Sequence, residues 1–197
     1  TSVTILAKEG KREVFLRNRL ARLESSGKSM MPEGLEKDLK PQAVADLISA
    51  LQEQYPAPKK FPGNKPRRVQ PDASGKLVLS TADCSIYGRS LVLEKRYGNL
   101  GMWRAEDDLA VWQVEIPAAG EYQVSIEWAC ERGTAGNLAQ VSTRDEALRF
   151  KVESTGTWDQ YKTATVGKIR LPAGIQRIRL HPAGPVSQFL IDLRKIT

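Results

Sequence analysis

The 197-residue sequence contains one histidine, His181, and two cysteines. A lone histidine excludes a metal site built on two imidazoles, a CxxCH haem attachment and most charge-relay arrangements within the chain. Cys84 and Cys130 lie too far apart for a CxxC redox pair or a zinc knuckle. No apolar run approaches the roughly 20 residues of a membrane span, so no spanning helix is expected. Thr1 opens directly onto a strand-like alternation and not onto a secretory leader. If the parent protein is exported, its signal is expected upstream. Hydrophobic residues make up 41% of the chain, which argues against wholesale disorder. The length suits one large domain, or a compact domain with an appendage.

Charge is unevenly placed. Residues 1–70 carry 14 Lys and Arg against 8 Asp and Glu, whereas residues 71–197 carry 16 against 15. The net charge of +7 therefore belongs mostly to the first third. Lys59, Lys60, Lys65, Arg67 and Arg68 sit among prolines with Phe61 as their only aromatic neighbour. Stacking platforms for nucleic acid interleave aromatics with basic residues, so this stretch reads as a basic linker and no nucleic-acid partner is expected.

The stretch from Pro56 to Pro71 holds five of the eleven prolines. Each fixes φ and removes a backbone donor, so the sequence predicts an extended connector over residues 56–74. Before it, TSVTILAKEGKREVFL predicts a hairpin, and Pro41 predicts a helix start, with Val44, Leu47, Ile48 and Leu51 at i, i+3, i+4 and i+7. One hairpin and one helix bury little apolar surface by themselves. After the connector, eight or nine short β-rich runs alternate with Gly, Pro, Asn and Asp. Trp112, Val114 and Ile116 share one face of a run, as do Tyr122, Val124, Ile126, Trp128 and Cys130 of the next. PAAG (117–120) and LPAG (171–174) read as tight turns between strands. The fold class expected is mainly β, an antiparallel sandwich with a small N-terminal hairpin-plus-helix appendage.

Candidate chemistry is sparse. Glu106, Asp107 and Asp108 are adjacent, so their side chains diverge and do not make the opposed pair that glycoside hydrolysis requires. A solvated loop is the expectation, with hard-cation binding the weaker alternative. No enzyme is expected. Of the four tryptophans, Trp112 and Trp128 fall on core-facing registers, while Trp103 (GNLGMW) and Trp158 (STGTWDQY) fall in Gly- and Thr-rich loops. Exposed loop indoles commonly mark binding sites, and sugar rings offer flat C–H patches that cover them; the alternative is that both fold back as lids on the sandwich.

The runs WQVEIPAAGEYQVSIEWA (112–129), TGTWDQY (155–161) and VGKIRLPAGIQRIRL (166–180) resemble the carbohydrate-binding modules of families six and thirty-five, over about residues 75–197. The resemblance implies a galactose-binding-like β-jelly roll. It also implies that Trp103 and Trp158 sandwich a sugar, with Gln188 as hydrogen-bonding amide and Tyr161 nearby. Two departures stand out. The calcium-holding, glutamate-bearing first strand of the family is LVLSTAD here, and the family's C-terminal N-x-N-W is SQFLIDL.

The N-terminal segment has its own resemblance. TSVTIL and SMMPEGLEKDLKPQAVADLISAL (29–51) resemble the C-terminal end of a bacterial c-type haem-binding domain, found in exported proteins similar to membrane-bound sugar dehydrogenases. The resemblance implies Met31, beside Met30, as an axial haem ligand. That role needs the missing CxxCH segment, so haem is expected only in a longer parent; in the plainer reading both methionines plug apolar surface. An exported location permits a Cys84–Cys130 disulfide, and a buried free thiol at each is the alternative.

The organisation expected is thus a haem-domain-like tail over residues 1–55, a connector over 56–74 and a non-catalytic jelly-roll module over 75–197. It is expected to be extracytoplasmic, to bind a polysaccharide or glycan, to hold no cofactor of its own, with calcium as the alternative, and to meet the upstream domains of its parent. The alternative is a structural or protein-interaction sandwich that orients a neighbouring dehydrogenase or cytochrome domain.

Overall fold

The structure is a computed structural model that describes residues 2–6, 12–24, 39–54 and 56–197, without the side chains of 49–54. The chain divides into two compact units, 1–55 and 56–197.

In the first unit, strands β1 (Ser2–Leu6) and β2 (Arg12–Leu16) pair antiparallel with Ser2 opposite Leu16, which is the expected hairpin. Helix α1 spans Pro41–Gln54 and begins at the expected proline. Several large apolar side chains of this unit stay exposed, among them Val14 at 65%, Leu16, Leu47 and Ile48. Met31 and Met30 lie outside the described residues. No described helix is long and apolar enough to cross a membrane.

The second unit is the β-sandwich. Its strands are β3 (Arg68–Val69), β4 (Leu79–Ser80), β5 (Ser85–Tyr87), β6 (Val92–Glu94), β7 (Asn99–Gly101), β8 (Leu109–Ile116), β9 (Gly120–Ala129), β10 (Leu138–Ser142), β11 (Ala147–Lys151), β12 (Lys162–Leu171), β13 (Gly174–Pro182) and β14 (Asp192–Ile196). One sheet runs β11-β10-β13-β8-β3, with β5 also on β8; the other runs β12-β9-β14-β7-β6, with β4 also on β14. All pairings within the sheets are antiparallel except β3 with β8, which is parallel.

Period-2 alternation builds the core. Ala110, Trp112, Val114 and Ile116 of β8 are buried, as are Val124, Ile126 and Trp128 of β9, and they meet Leu180, Leu193 and Ile196 between the sheets. The Trp112 indole crosses from one sheet to the other, donating Nε1–H to the Ser80 carbonyl at 2.7 Å, and Trp128 donates to the Glu153 carbonyl at 3.0 Å. A buried indole needs such a partner, because its one polar atom would otherwise be orphaned. Cys84 and Cys130 are both buried free thiols, which decides between the two alternatives. Burial pushes the Cys84 thiol up to about 12, and burial raises that of Cys130 as well.

Two expectations need correction. The stretch 56–74 is not a free connector. The Lys59 N–H donates to the Ile86 carbonyl at 2.7 Å and the Lys65 N–H to the Ala82 carbonyl at 2.8 Å; the Asn64 amide bridges the Ala82 and Cys84 carbonyls, and Phe61 packs on the core. Prolines remove donors, but the N–H groups of Lys59, Lys65 and Arg67 found acceptors on the sandwich, so this stretch belongs to the module. Nor is the acidic cluster a solvated loop throughout. Asp108 is fully buried and accepts hydrogen bonds from the Ser90, Leu91, Arg104 and Ala105 N–H groups and from the Ser90 hydroxyl. Burial alone would push its carboxyl up, but the bonds from Ser90, Leu91 and Ala105 outweigh it and hold the group below the ordinary carboxylate range. Its oxygens are spent on fastening the loop ahead of β8. Asp107 stays outside and pairs with Arg89 at 3.1 Å.

Candidate functional site

Sheet order decides which side chains meet. Strands β6, β7 and β14 are neighbours, and Leu100 in the middle of β7 stands opposite both Leu93 and Leu193. Glu94 at the end of β6, Gly101 at the end of β7 and Asp192 at the start of β14 therefore come together at one edge of the sandwich. Glu94 and Asp192 line a cleft of about 590 Å³ together with Tyr97, Met102, Thr157, Trp158, Asp159, Tyr161, Phe189 and Arg194.

Trp158 is placed by the loop after β11. The Thr155 N–H donates to the Cys130 carbonyl at 2.9 Å, the Thr155 hydroxyl accepts from the Cys130 N–H at 2.9 Å, and the Ser154 hydroxyl donates to the same carbonyl. Gly156 turns the chain at φ +110°, a conformation that other residues rarely adopt. The loop is thus clamped to the end of β9. It presents Trp158 half-buried, edge-on to Phe189 with ring centres 5.9 Å apart, its Nε1–H donating to Glu131 at 3.2 Å. Tyr161 is half-buried beneath the guanidinium of Arg194, which lies 3.5 Å from its ring centre. Its phenol is raised by burial first and then by the negative charge of Asp192.

Of the residues expected from sequence, the cleft brings together Trp158 and Tyr161. Trp103 is a correction: it is 0% exposed, with its Nε1–H on the Asp108 carbonyl at 3.2 Å, so no sugar can stack on it. The cause lies one residue earlier. Met102 takes a left-handed backbone, φ +59°, which reverses the side-chain sense after β7; the thioether faces the cleft at 42% exposure and the indole drops into the core. Gln188 is a second correction. It too has a positive φ, +62°, and Asn137 pins both sides of it, accepting from the Ser187 N–H and donating to the Ser187 and Phe189 carbonyls. The amide of Gln188 is exposed but does not line the cleft, and Phe189 lines it instead. Tyr97, exposed at 56% on the turn between β6 and β7, was not expected, nor were Glu94, Asp192 and Arg194. The exposed Tyr97 lies in RYGN, a turn-forming string between two strands, and that string was the available signal.

The electrostatics centre on Asp192. Burial raises its carboxyl, the charge of Glu94 raises it further, and together they bring it to about 7. Glu94 accepts from the Asn99 amide at 2.8 Å, while the Asn99 Oδ1 is buried with no donor facing it. The calcium-bearing strand of the resembled family offers no vacant carboxylate here. Asp83 of LVLSTAD has Oδ1 at 2.7 Å and Oδ2 at 3.2 Å from the Arg67 guanidinium. Among the described residues no cluster of three or more His, Cys, Asp or Glu is set to hold a metal.

No protein-family model matches the sequence, and no curated protein matches it either. Solved structures do resemble the fold. A family 35 carbohydrate-binding module from Clostridium thermocellum is 20% identical, over 61% of this chain and 96% of its own, with a TM-score of 0.53. A family 35 module in complex with a glucuronic-acid-containing disaccharide is 17% identical, over 61% and 90%, with a TM-score of 0.52. The C-terminal family 6 module of a laminarinase from Zobellia galactanivorans is 16% identical, over 61% and 95%, with a TM-score of 0.50. At these identities the likeness establishes the jelly-roll sandwich of such modules.

Proposed function

We propose that residues 56–197 form a non-catalytic carbohydrate-binding module, and that the glycan lies in the cleft bounded by Tyr97, Met102, Trp158, Tyr161 and Phe189. The observation that carries this reading is the aromatic cleft itself. A half-exposed indole held by a clamped loop, with a tyrosine on the rim and carboxylates and a guanidinium at the base, suits a ring that is flat and apolar on one face and hydroxylated at its edge. The fold likeness to modules of families 35 and 6 supports it.

Affinity electrophoresis of the full chain through gels carrying soluble polysaccharides is the direct test. Retardation by at least one glycan is expected for the wild type and is expected to be lost in Trp158→Ala, with Tyr97→Ala weaker than wild type. Equal retardation of Trp158→Ala removes this site. The wider context belongs to the same proposal. The resemblance of residues 1–51 supports an exported parent carrying a dehydrogenase-like or haem-bearing domain upstream, in which Met31 has a role only beside a CxxCH segment. Sequence recovered upstream that lacks such a segment would remove the haem.

The reading as a protein-interaction sandwich draws on one observation, the burial of Trp103, which takes one of two expected aromatics out of reach. Met102 and Tyr97 stand in the cleft in its place, and this is why the glycan reading is preferred.

A further inference from the structure

The base of the cleft is rich in acceptors and poor in donors. Glu94 and Asp192 come from the two strands flanking β7 and converge over Gly101. A Cβ at Gly101 would overlap Glu94 Oε2 and come within 2.8 Å of Asp192 Oδ1. Beside them the Asn99 Oδ1 is fully buried and receives no hydrogen bond. The one donor directed at this group is the Asn99 amide, on Glu94 at 2.8 Å. Asp159 adds a third carboxylate to the wall. Arg194 is the single cation among the described residues of the lining, and it is engaged elsewhere: it stacks on Tyr161 and lies 3.6 Å from Glu127. Every other charged side chain in the lining is therefore an acid, while from outside it the guanidiniums of Arg96 and Arg104 lie over the Tyr97 and Phe189 rings, 5.5 and 5.0 Å from their centres.

We propose that the cleft takes an amino sugar, with the ring carried on Trp158 and the protonated 2-amino group directed at Glu94 and Asp192. This rests on the glycan reading and names its ligand class. An ammonium group brings three donors and no acceptor, which is the complement of the two carboxylates of Glu94 and Asp192. A hydroxyl in the same place brings one donor. An N-acetyl group brings one donor and added bulk, and a uronate brings a like charge against Glu94 and Asp159. The ligand also relieves the carboxylate pair: a positive charge favours the ionised form of Asp192, so its proton is released when the sugar enters at about pH 6, where an amine of this kind is protonated. The groups whose charge couples to Asp192 are Glu94 on β6, Tyr161 ahead of β12 and the Cys130 thiol after β9, with Arg194 of β14 lying on the Tyr161 ring.

Titration calorimetry of the full chain with glucosamine oligosaccharides, N-acetylglucosamine oligosaccharides of the same length and a glucuronic-acid-bearing oligosaccharide tests the proposal, each run with calcium and with chelator. Glucosamine oligosaccharides are expected to bind at least about tenfold tighter than the other two, the scale of a charge-assisted contact. The binding heat is expected to vary between buffers of different ionisation enthalpy, reporting the released proton. Asp192→Asn and Glu94→Gln are each expected to abolish the preference while thermal melting confirms that they fold. Equal or tighter binding of the N-acetylated or uronic oligosaccharide, with or without calcium, overturns the inference and leaves the glycan reading standing. Binding of none of the three, together with no retardation in polysaccharide gels, overturns both.

Discussion

Trp103 and Trp158 are the same side chain under opposite constraints, and stability separates them. Trp103 is wrapped by core residues with its N–H satisfied, so Trp103→Ala is expected to cost about 3–5 kcal/mol in urea unfolding. Trp158 is half-buried and lines the cleft, so Trp158→Ala is expected to cost about 1 kcal/mol while removing binding. Similar losses for both would place Trp158 in the core. Asp192 makes a prediction of opposite sign. Its folded-state carboxyl stands at about 7, above the ordinary 3.8, so the folded protein holds a proton that the unfolded chain gives up. Stability attributable to this group therefore falls as pH rises from about 4 through 7. Asp192→Asn is expected to leave the melting temperature nearly unchanged at pH 4 and to raise it at pH 8. A lower melting temperature at pH 8 would contradict this account. None of these three roles was fully readable from sequence. Trp103 and Trp158 both follow loop-like strings, GNLGM and STGT, and the left-handed turn at Met102 sends one indole inward.

At the scale of elements, alternation carried most of the information. The buried faces of β8 and β9 follow from period 2 alone, since Trp112, Val114, Ile116, Val124, Ile126 and Trp128 all lie where the pleat puts them. The helix start at Pro41 and the turns at PAAG and LPAG were likewise local matters, decided by φ restriction and glycine. The proline-rich stretch was not readable in this way, because what holds it lies far along the chain. Arg67 reaches Asp83, Asn64 reaches two carbonyls beyond residue 80, and Val69 joins β8. Asn64→Ala leaves those carbonyls without their shared donor, and Arg67→Ala leaves Asp83 without its guanidinium partner. Each is expected to lower the urea midpoint of the sandwich, and the double variant more than either single one. Midpoints unchanged in all three variants would return this stretch to the role of a connector.

For the whole molecule, the boundary at residue 55 separates a unit with exposed apolar side chains from one with a filled core. A chain of residues 56–197 is expected to melt in one cooperative transition at a temperature close to that of the 197-residue chain. A chain of residues 75–197, the boundary that sequence suggested, is expected to melt lower or to fail to fold. Equal melting of the two would mean that the docked segment contributes nothing. The charge asymmetry follows the same division in part only: the basic residues of 59–68 belong to the module.

The parallel pairing of β3 with β8 has one more consequence. β5 covers the first half of β8's outer edge, at Leu109–Val111, and β3 covers Gln113 and Val114 further along. Bare strand edges recruit other strands, and two residues with a charged Arg68 outermost make a poor template for recruitment. Residues 56–70 are therefore expected to guard this edge against strand recruitment. A chain lacking them would be expected to self-associate through β8, in proportion to its concentration, well before it loses its secondary structure.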